Sequence, residues 1–105
     1  LVCVNASAAG TKACDQVSGS LSHNGNDAIE LECNGTRLDL IGKTGADPGT
    51  AWTGGGLSTA NMNLLRKCSV TSGNLTGFTD PSIVWLAPAG GAGVDKSNLG
   101  SFNCP

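Results

Sequence analysis

Residues 27–41 read DAIELECNGTRLDLI, and this stretch decides the fold. Its first half alternates apolar with polar residues, which predicts a half-buried strand whose inward side chains are Ile29, Leu31 and Cys33. Asn34-Gly35 follows, and because both residues accept a positive φ, the pair predicts a type I′ turn. The alternation resumes from Arg37 to Ile41. The stretch therefore predicts an antiparallel β-hairpin.

Short strand candidates separated by turn signals lie on both sides of this hairpin. A helical turn is expected within 58–65, where Ser58 or Thr59 can cap free backbone amides. Long loops are expected over 42–56 and 88–101, which are rich in glycine and proline. Strands are predicted at 1–4, 65–71 and 82–87. This order predicts a single all-β domain, a β-sandwich with one short helical turn.

The composition is poor in charge. Charged residues make up 13% of the 105 residues, against about 25% in ordinary soluble domains. The formal net charge is −2, and the single adjacent basic pair is Arg66-Lys67, so no phosphate-binding stripe exists and nucleic acid is not an expected partner. No apolar run approaches the 18 or more residues of a transmembrane helix. We expect a neutral, soluble surface of Ser, Thr, Asn and Gly.

Five cysteines favour disulfides and a secreted protein. Their spacing is wide and contains no C-x-x-C pair, which argues against a zinc site. The alternative is that they are buried apolar residues of a reduced protein. An odd number leaves at least one thiol free or bound to another chain. The cysteines are Cys3, Cys14, Cys33, Cys68 and Cys104.

Three Asn-x-Ser/Thr triplets begin at Asn5, Asn34 and Asn74. Each is a candidate glycosylation site if the host glycosylates secreted proteins, although three such triplets exceed chance only mildly in a chain this rich in Asn, Ser and Thr.

No catalytic or metal-binding set stands out. The single histidine, His23, lies beside serines and Asp27, but adjacent turn residues point apart instead of converging as a catalytic triad requires. Gly42-Lys43-Thr44 lacks the first glycine of a phosphate-binding loop, because Arg37 stands at that position. Trp52 and Trp85 are expected to be core anchors, with sugar stacking as the alternative. We therefore expect no enzyme activity, no cofactor and no metal.

Four ordered blocks of the sequence resemble the lamin-tail domain family. Residues 20–31, SLSHNGNDAIEL, are similar to its SLSHNGDDAxxL segment. The blocks that follow match its DPGxxW, RKxSV and LGSHTC elements in the same order. They are LDLIG at 38–42 with DPGTAW at 47–52, STAN at 58–61 with LLRK at 64–67 and SV at 69–70, and NLGSFNC at 98–104.

The resemblance implies an immunoglobulin-like β-sandwich and a disulfide between Cys68 and Cys104, and it leaves the pairing of Cys3, Cys14 and Cys33 open. Leu1 to Ala8 resembles the family's YVLxNxSA strand, and the two or three strands that open the family pattern have no counterpart before it. We therefore expect a domain over residues 1–105 that lacks its first strands, which were removed or come from another chain.

The resemblance implies a function as a non-enzymatic extracellular interaction or tethering module, like the domains that accompany secreted nucleases and surface proteins. Weak contact candidates are Arg66, Lys67 and Trp52, the last within the loop 45–56. The alternative is a structural subunit of an extracellular filament or surface layer, completed by a strand from a neighbouring chain. A protein partner or self-assembly is expected, a glycan is a further candidate ligand, and direct nucleic-acid binding and membrane insertion are not expected.

Overall fold

Short two-stranded sheets and one 3-10 turn make up the regular structure of the described residues. The structure is a computed structural model that describes residues 1–88, 96 and 99–104. Within these residues the strands pair consecutively, β1 with β2, β3 with β4, β5 with β6 and β7 with β8. The elements are β1 Val2–Cys3, β2 Gln16–Val17, β3 Ile29–Cys33, β4 Thr36–Ile41, β5 Thr53–Gly54, β6 Leu57–Ser58, β7 Leu65–Arg66, the 3-10 turn Pro81–Ile83 and β8 Trp85–Leu86. The all-β prediction is confirmed.

The predicted hairpin is the largest regular unit. β3 and β4 are antiparallel, and Cys33 faces Thr36 across the turn. Asn34 and Gly35 have φ values of 51° and 76°, both in the left-handed region that a type I′ turn requires.

Other boundaries differ from the predictions. The strands expected at 65–71 and 82–87 are reduced to Leu65–Arg66 and Trp85–Leu86, which pair with each other. The predicted loop 42–56 ends in a small hairpin, because Gly55 and Gly56, at φ 55° and 79°, let β5 turn back onto β6. The strand expected at 1–4 covers Val2–Cys3 and is parallel to β2, which the sequence did not indicate. The expected loop 88–101 lies mostly outside the described residues.

The helical turn predicted within 58–65 is wrong. Leu57–Ser58 is a strand, and the described chain has its helical turn at Pro81–Ile83. Asp80 caps this turn with Oδ1, which accepts hydrogen bonds from the Ser82 N–H at 2.8 Å and the Ser82 hydroxyl at 2.7 Å. Asp80 at the N-cap followed by Pro81 is a stronger helix-start signal than Ser58 or Thr59, which precede a polar segment.

The Asp80 cap should make stability depend on pH. The hydrogen bonds from Ser82 lower the pKa of Asp80 below its ordinary value. A carboxyl whose pKa is lower in the folded state stabilises the fold above its unfolded pKa, and this contribution disappears as the pH falls through the folded pKa. Asp80→Asn should therefore be less stable than the wild type at neutral pH, and the difference should shrink in acid. The urea midpoints of Asp80→Asn and the wild type, measured from neutral to acidic pH, give this difference. A difference in midpoint that does not change with pH would contradict the role of the Asp80 carboxylate as the cap.

Trp52 lies at the centre of the core, as the sequence predicts. Its side chain is 2% exposed and packs with Phe78 and Val84. The indole Nε1 donates to the backbone oxygen of Asp27 at 2.9 Å. Gly42 has φ 76°, and a Cβ at that position would lie 2.5 Å from Nε1 of Trp52. The indole thus ties β4 to the segment that precedes β3, so the inner end of the hairpin is anchored in the core.

Candidate functional site

The outer part of the β3–β4 hairpin carries exposed aliphatic side chains. Leu31 is 60% exposed and Leu38 is 46% exposed. Cys33 is exposed as well, so the prediction that Leu31 and Cys33 face the core is wrong. Both leucines line a shallow depression, together with Val70 and the ion-paired side chains of Asp39 and Arg66. We call these five residues the hairpin surface.

A β-bulge interrupts the hairpin at these two leucines. A regular two-residue hairpin would set Leu31 opposite Leu38, but the register shifts between Leu31 and Glu32, so that Leu31 pairs with Asp39. The extra residue on β4 is Leu38, which has no partner across the ladder. Beyond the bulge, Leu40 pairs with Glu30 and is 2% exposed. The shift therefore places Leu40 on the face of Glu30, which is opposite to the face of Leu31.

Arg37 lies on the same face as the glutamates of β3, because on the turn side of the bulge it keeps the regular register. Arg37 pairs with Glu32 in the ladder, and its Nη2 donates to Oε2 of Glu30 at 2.7 Å. Its Nη1 donates to the backbone oxygen of Leu75 at 3.2 Å. Glu30 is thus neutralised within the chain, whereas Glu32 has an exposed side chain and contributes negative charge to the edge.

Arg66 has a structural role at the border of the hairpin surface. Its Nη2 forms an ion pair with Oδ2 of Asp39, and its guanidinium carbon lies 4.9 Å from the centroid of the Trp85 ring. Oδ1 of Asp39 accepts from the backbone N–H of Asn74 at 2.8 Å. The arginine therefore joins β7, β8 and β4, and its guanidinium is already bound by a carboxylate and an aromatic face.

The segment 73–78 covers the other side of β4. A Cβ on Gly73 would lie 1.8 Å from the backbone oxygen of Leu38, so only glycine fits there. The Phe78 N–H donates to the backbone oxygen of Gly42 at 2.8 Å. Because β4 is covered on this side, the open edge of the hairpin is that of β3.

The three contact candidates from the sequence do not form one surface. Trp52 is buried, so its ring is not available to a partner or a sugar. Lys67 is half-buried, and its positive charge helps to lower the pKa of Asp80. Arg66 alone lies at the hairpin surface.

Two of the candidate glycosylation asparagines hold local turns. Oδ1 of Asn5 accepts from the N–H and hydroxyl of Ser7, at 3.0 and 2.8 Å. Oδ1 of Asn74 accepts from the Gly77 N–H at 3.0 Å, and its Nδ2 donates to the Gly77 oxygen at 3.2 Å. Asn34 is exposed at the tip of the hairpin. Asn74, half-buried and bonded at both ends, is the least accessible of the three.

The cysteines form two disulfides. Cys3 is joined to Cys14, and Cys68 is joined to Cys104 as the resemblance implied. Cys33 is free and exposed at the end of β3. The sequence left the first pairing open, and the structure resolves it because the pairing of β1 with β2 brings Cys14, two residues before β2, next to Cys3 of β1.

A second depression is lined by His23, Asp27, Ile29, Met62 and Trp85, among others. Within the described residues no hydrogen bond joins His23 to Asp27, whose Oδ2 accepts from the backbone N–H of Asn24 at 2.9 Å. In the part of the chain that the structure describes, no group of three or more His, Cys, Asp or Glu side chains is placed to hold a metal ion. This depression offers an apolar wall and no arranged catalytic pair.

Over residues 1–88, 96 and 99–104 the structure has no helix with the length and hydropathy of a membrane span. Comparison of the chain with protein-family models, curated proteins and solved structures gives no match.

Proposed function

We propose that the chain is a non-enzymatic extracellular interaction or tethering module of the lamin-tail type, and that it contacts its protein partner at the hairpin surface. The observation that carries this proposal is the exposure of Leu31 and Leu38 on a hairpin whose inner end is anchored in the core. Large aliphatic side chains grouped in solvent mark interaction sites more often than scattered ones do. The hairpin offers them on a rigid element, which limits the entropy lost on binding.

We further propose that the short sheets belong to an immunoglobulin-like β-sandwich. Support comes from the buried Trp52 between paired segments and from the disulfide that joins β7 to the segment 99–104. A sandwich core is built in this way, from inward-facing residues of facing sheets.

An extracellular location is part of the proposal. Two disulfides in a chain of 105 residues are compatible with an oxidising compartment. The low charge and the exposed Asn5 and Asn34 triplets favour the same location.

The second candidate function is a structural subunit that assembles with its own copies. The specific observation in its favour is the open edge of β3, since strand addition uses the ladder groups of such an edge. The two functions differ in the partner of the hairpin. A tethering module binds a different protein, whereas a structural subunit binds a second copy of this chain.

Site-directed photocross-linking tests the proposal. p-Benzoylphenylalanine is placed at position 31 or 38 of the full chain in the cells that secrete it, and at position 83 as a control. Ile83 is also 56% exposed but lies on the 3-10 turn. From positions 31 and 38 we expect a discrete adduct whose mass exceeds that of the chain but is not twice that mass, which indicates a different protein. From position 83 we expect no adduct.

An adduct of twice the chain mass would overturn the tethering function in favour of self-assembly. Equal adducts from all three positions, or none from any, would overturn the assignment of the hairpin surface. Hydrolysis of DNA or a phosphoester by the purified chain, lost in His23→Ala, would overturn its non-enzymatic character.

A further inference from the structure

The outer edge of β3 is the one long strand edge that the described residues leave open. β3 runs over Ile29–Cys33 and pairs with β4 alone. Four of its five residues are exposed. Alternate residues of a strand that is paired on one side direct their N–H and C=O groups to the open side, where another extended chain can pair with them.

The two faces beside this edge differ in chemistry. Ile29, Leu31 and Cys33 lie on one face, and Glu30 and Glu32 lie on the other. Because Arg37 already binds Glu30, the negative charge that remains for a partner is that of Glu32. A strand added here would meet the aliphatic side chain of Leu31 on one face and the carboxylate of Glu32 on the other.

A second copy of β3 fits this edge poorly. In antiparallel pairing about a two-fold axis, residues that face each other lie on the same face of the sheet. Every such register that overlaps three or more residues of β3 sets a glutamate opposite a glutamate. Like charges directly opposite destabilise a pair of strands, so the glutamates disfavour self-pairing while they favour a basic partner.

We propose that the β3 edge binds an extended peptide segment in which aliphatic residues alternate with Lys or Arg, by β-strand addition. The aliphatic side chains pack beside Leu31, and a basic side chain pairs with Glu32. The segment that β3 can hold is about five residues, or roughly 17 Å, long. This inference rests on the proposed interaction function and names the chemistry of its partner.

A synthetic peptide tests the inference directly. The probe is an acetylated, amidated heptapeptide of alternating Lys and Val, and the matched control replaces each Lys with Glu. Binding to the intact ¹⁵N-labelled chain is followed by amide chemical shifts. We expect saturable shifts at residues 29–33 with the Lys peptide and weaker binding of the Glu peptide.

Two variants with the same change in net charge separate local from general electrostatics. Glu32→Gln should raise the dissociation constant of the Lys peptide by about two- to five-fold, as expected for one cross-strand charge pair. Thr11→Lys adds the same charge at an exposed position outside the hairpin and should leave it unchanged. Glu32→Lys should reverse the preference toward the Glu peptide.

Failure of this inference is distinct from failure of the proposed function. Absence of binding, shifts centred outside 29–33, or equal effects of Glu32→Gln and Thr11→Lys would each overturn the edge site. If positions 31 and 38 still give heterologous adducts in the cross-linking experiment, the interaction function stands without it. Assembly of the chain in sedimentation experiments that is abolished in Leu31→Pro would also overturn the inference, in favour of a second copy as the partner of β3.

Discussion

Replacing Trp52 with alanine should lower the free energy of unfolding by about 3–5 kcal/mol, the usual cost of removing a buried aromatic side chain. The indole is 2% exposed and is packed against Phe78 and Val84. Its loss leaves the backbone oxygen of Asp27 without its indole donor and opens a cavity beneath the hairpin. A domain of this size has a total stability of about 5–15 kcal/mol, so the loss is a large part of the total.

Thermal and urea denaturation followed by circular dichroism measure this effect. The melting temperature should fall by more than about 12 °C, since each kcal/mol shifts it by about 4–8 °C in a small domain. Trp52→Phe keeps most of the buried volume and should lose less. Ile83→Ala removes an equally apolar but largely exposed side chain and should change stability little. A Trp52→Ala variant as stable as Ile83→Ala would show that the core is centred elsewhere.

The elements that follow from local sequence patterns were predictable. Asn34-Gly35 specifies its turn because few residue pairs accept two positive φ angles. Trp52 was predictable as a core anchor because large apolar side chains are scarce in this chain, whose aromatic residues other than His are two Trp and two Phe. These predictions depend on the intrinsic properties of one or two residues.

The candidate site was not predictable, because it depends on register. Alternation within β3 and β4 fits a regular hairpin, in which Leu31 and Leu38 would face each other. The bulge that separates them is stabilised by contacts distant in sequence, in which Asp39 binds Arg66 and Asn74. Nothing within residues 27–41 records those partners. The alternation within β3 indicates that Glu30 and Glu32 share one face, but the exposure of Leu31 and Leu38 appears only once β4 is placed against residues 66–78.

Removing the Cys68–Cys104 disulfide by changing both residues to serine should lower the free energy of unfolding by about 4 kcal/mol, as loop-closure entropy predicts for this separation. The bridge joins residues that are 36 apart in sequence. Residues 101–104 are exposed, so apart from the bridge little buried surface holds this segment in place. The shorter Cys3–Cys14 bridge, which spans 11 residues, should contribute about 3 kcal/mol by the same reasoning.

Cys33→Ser is the matched control, because Cys33 is free and exposed and serine keeps its size. It should leave the urea midpoint unchanged, and intact mass before and after reduction should show two bridges in this variant and in the wild type. A loss of stability in Cys33→Ser equal to that in the Cys68/Cys104 variant would mean that Cys33 takes part in a bridge. In that case the hairpin would be tied covalently at its tip, and the open edge of β3 would not be free to accept a strand.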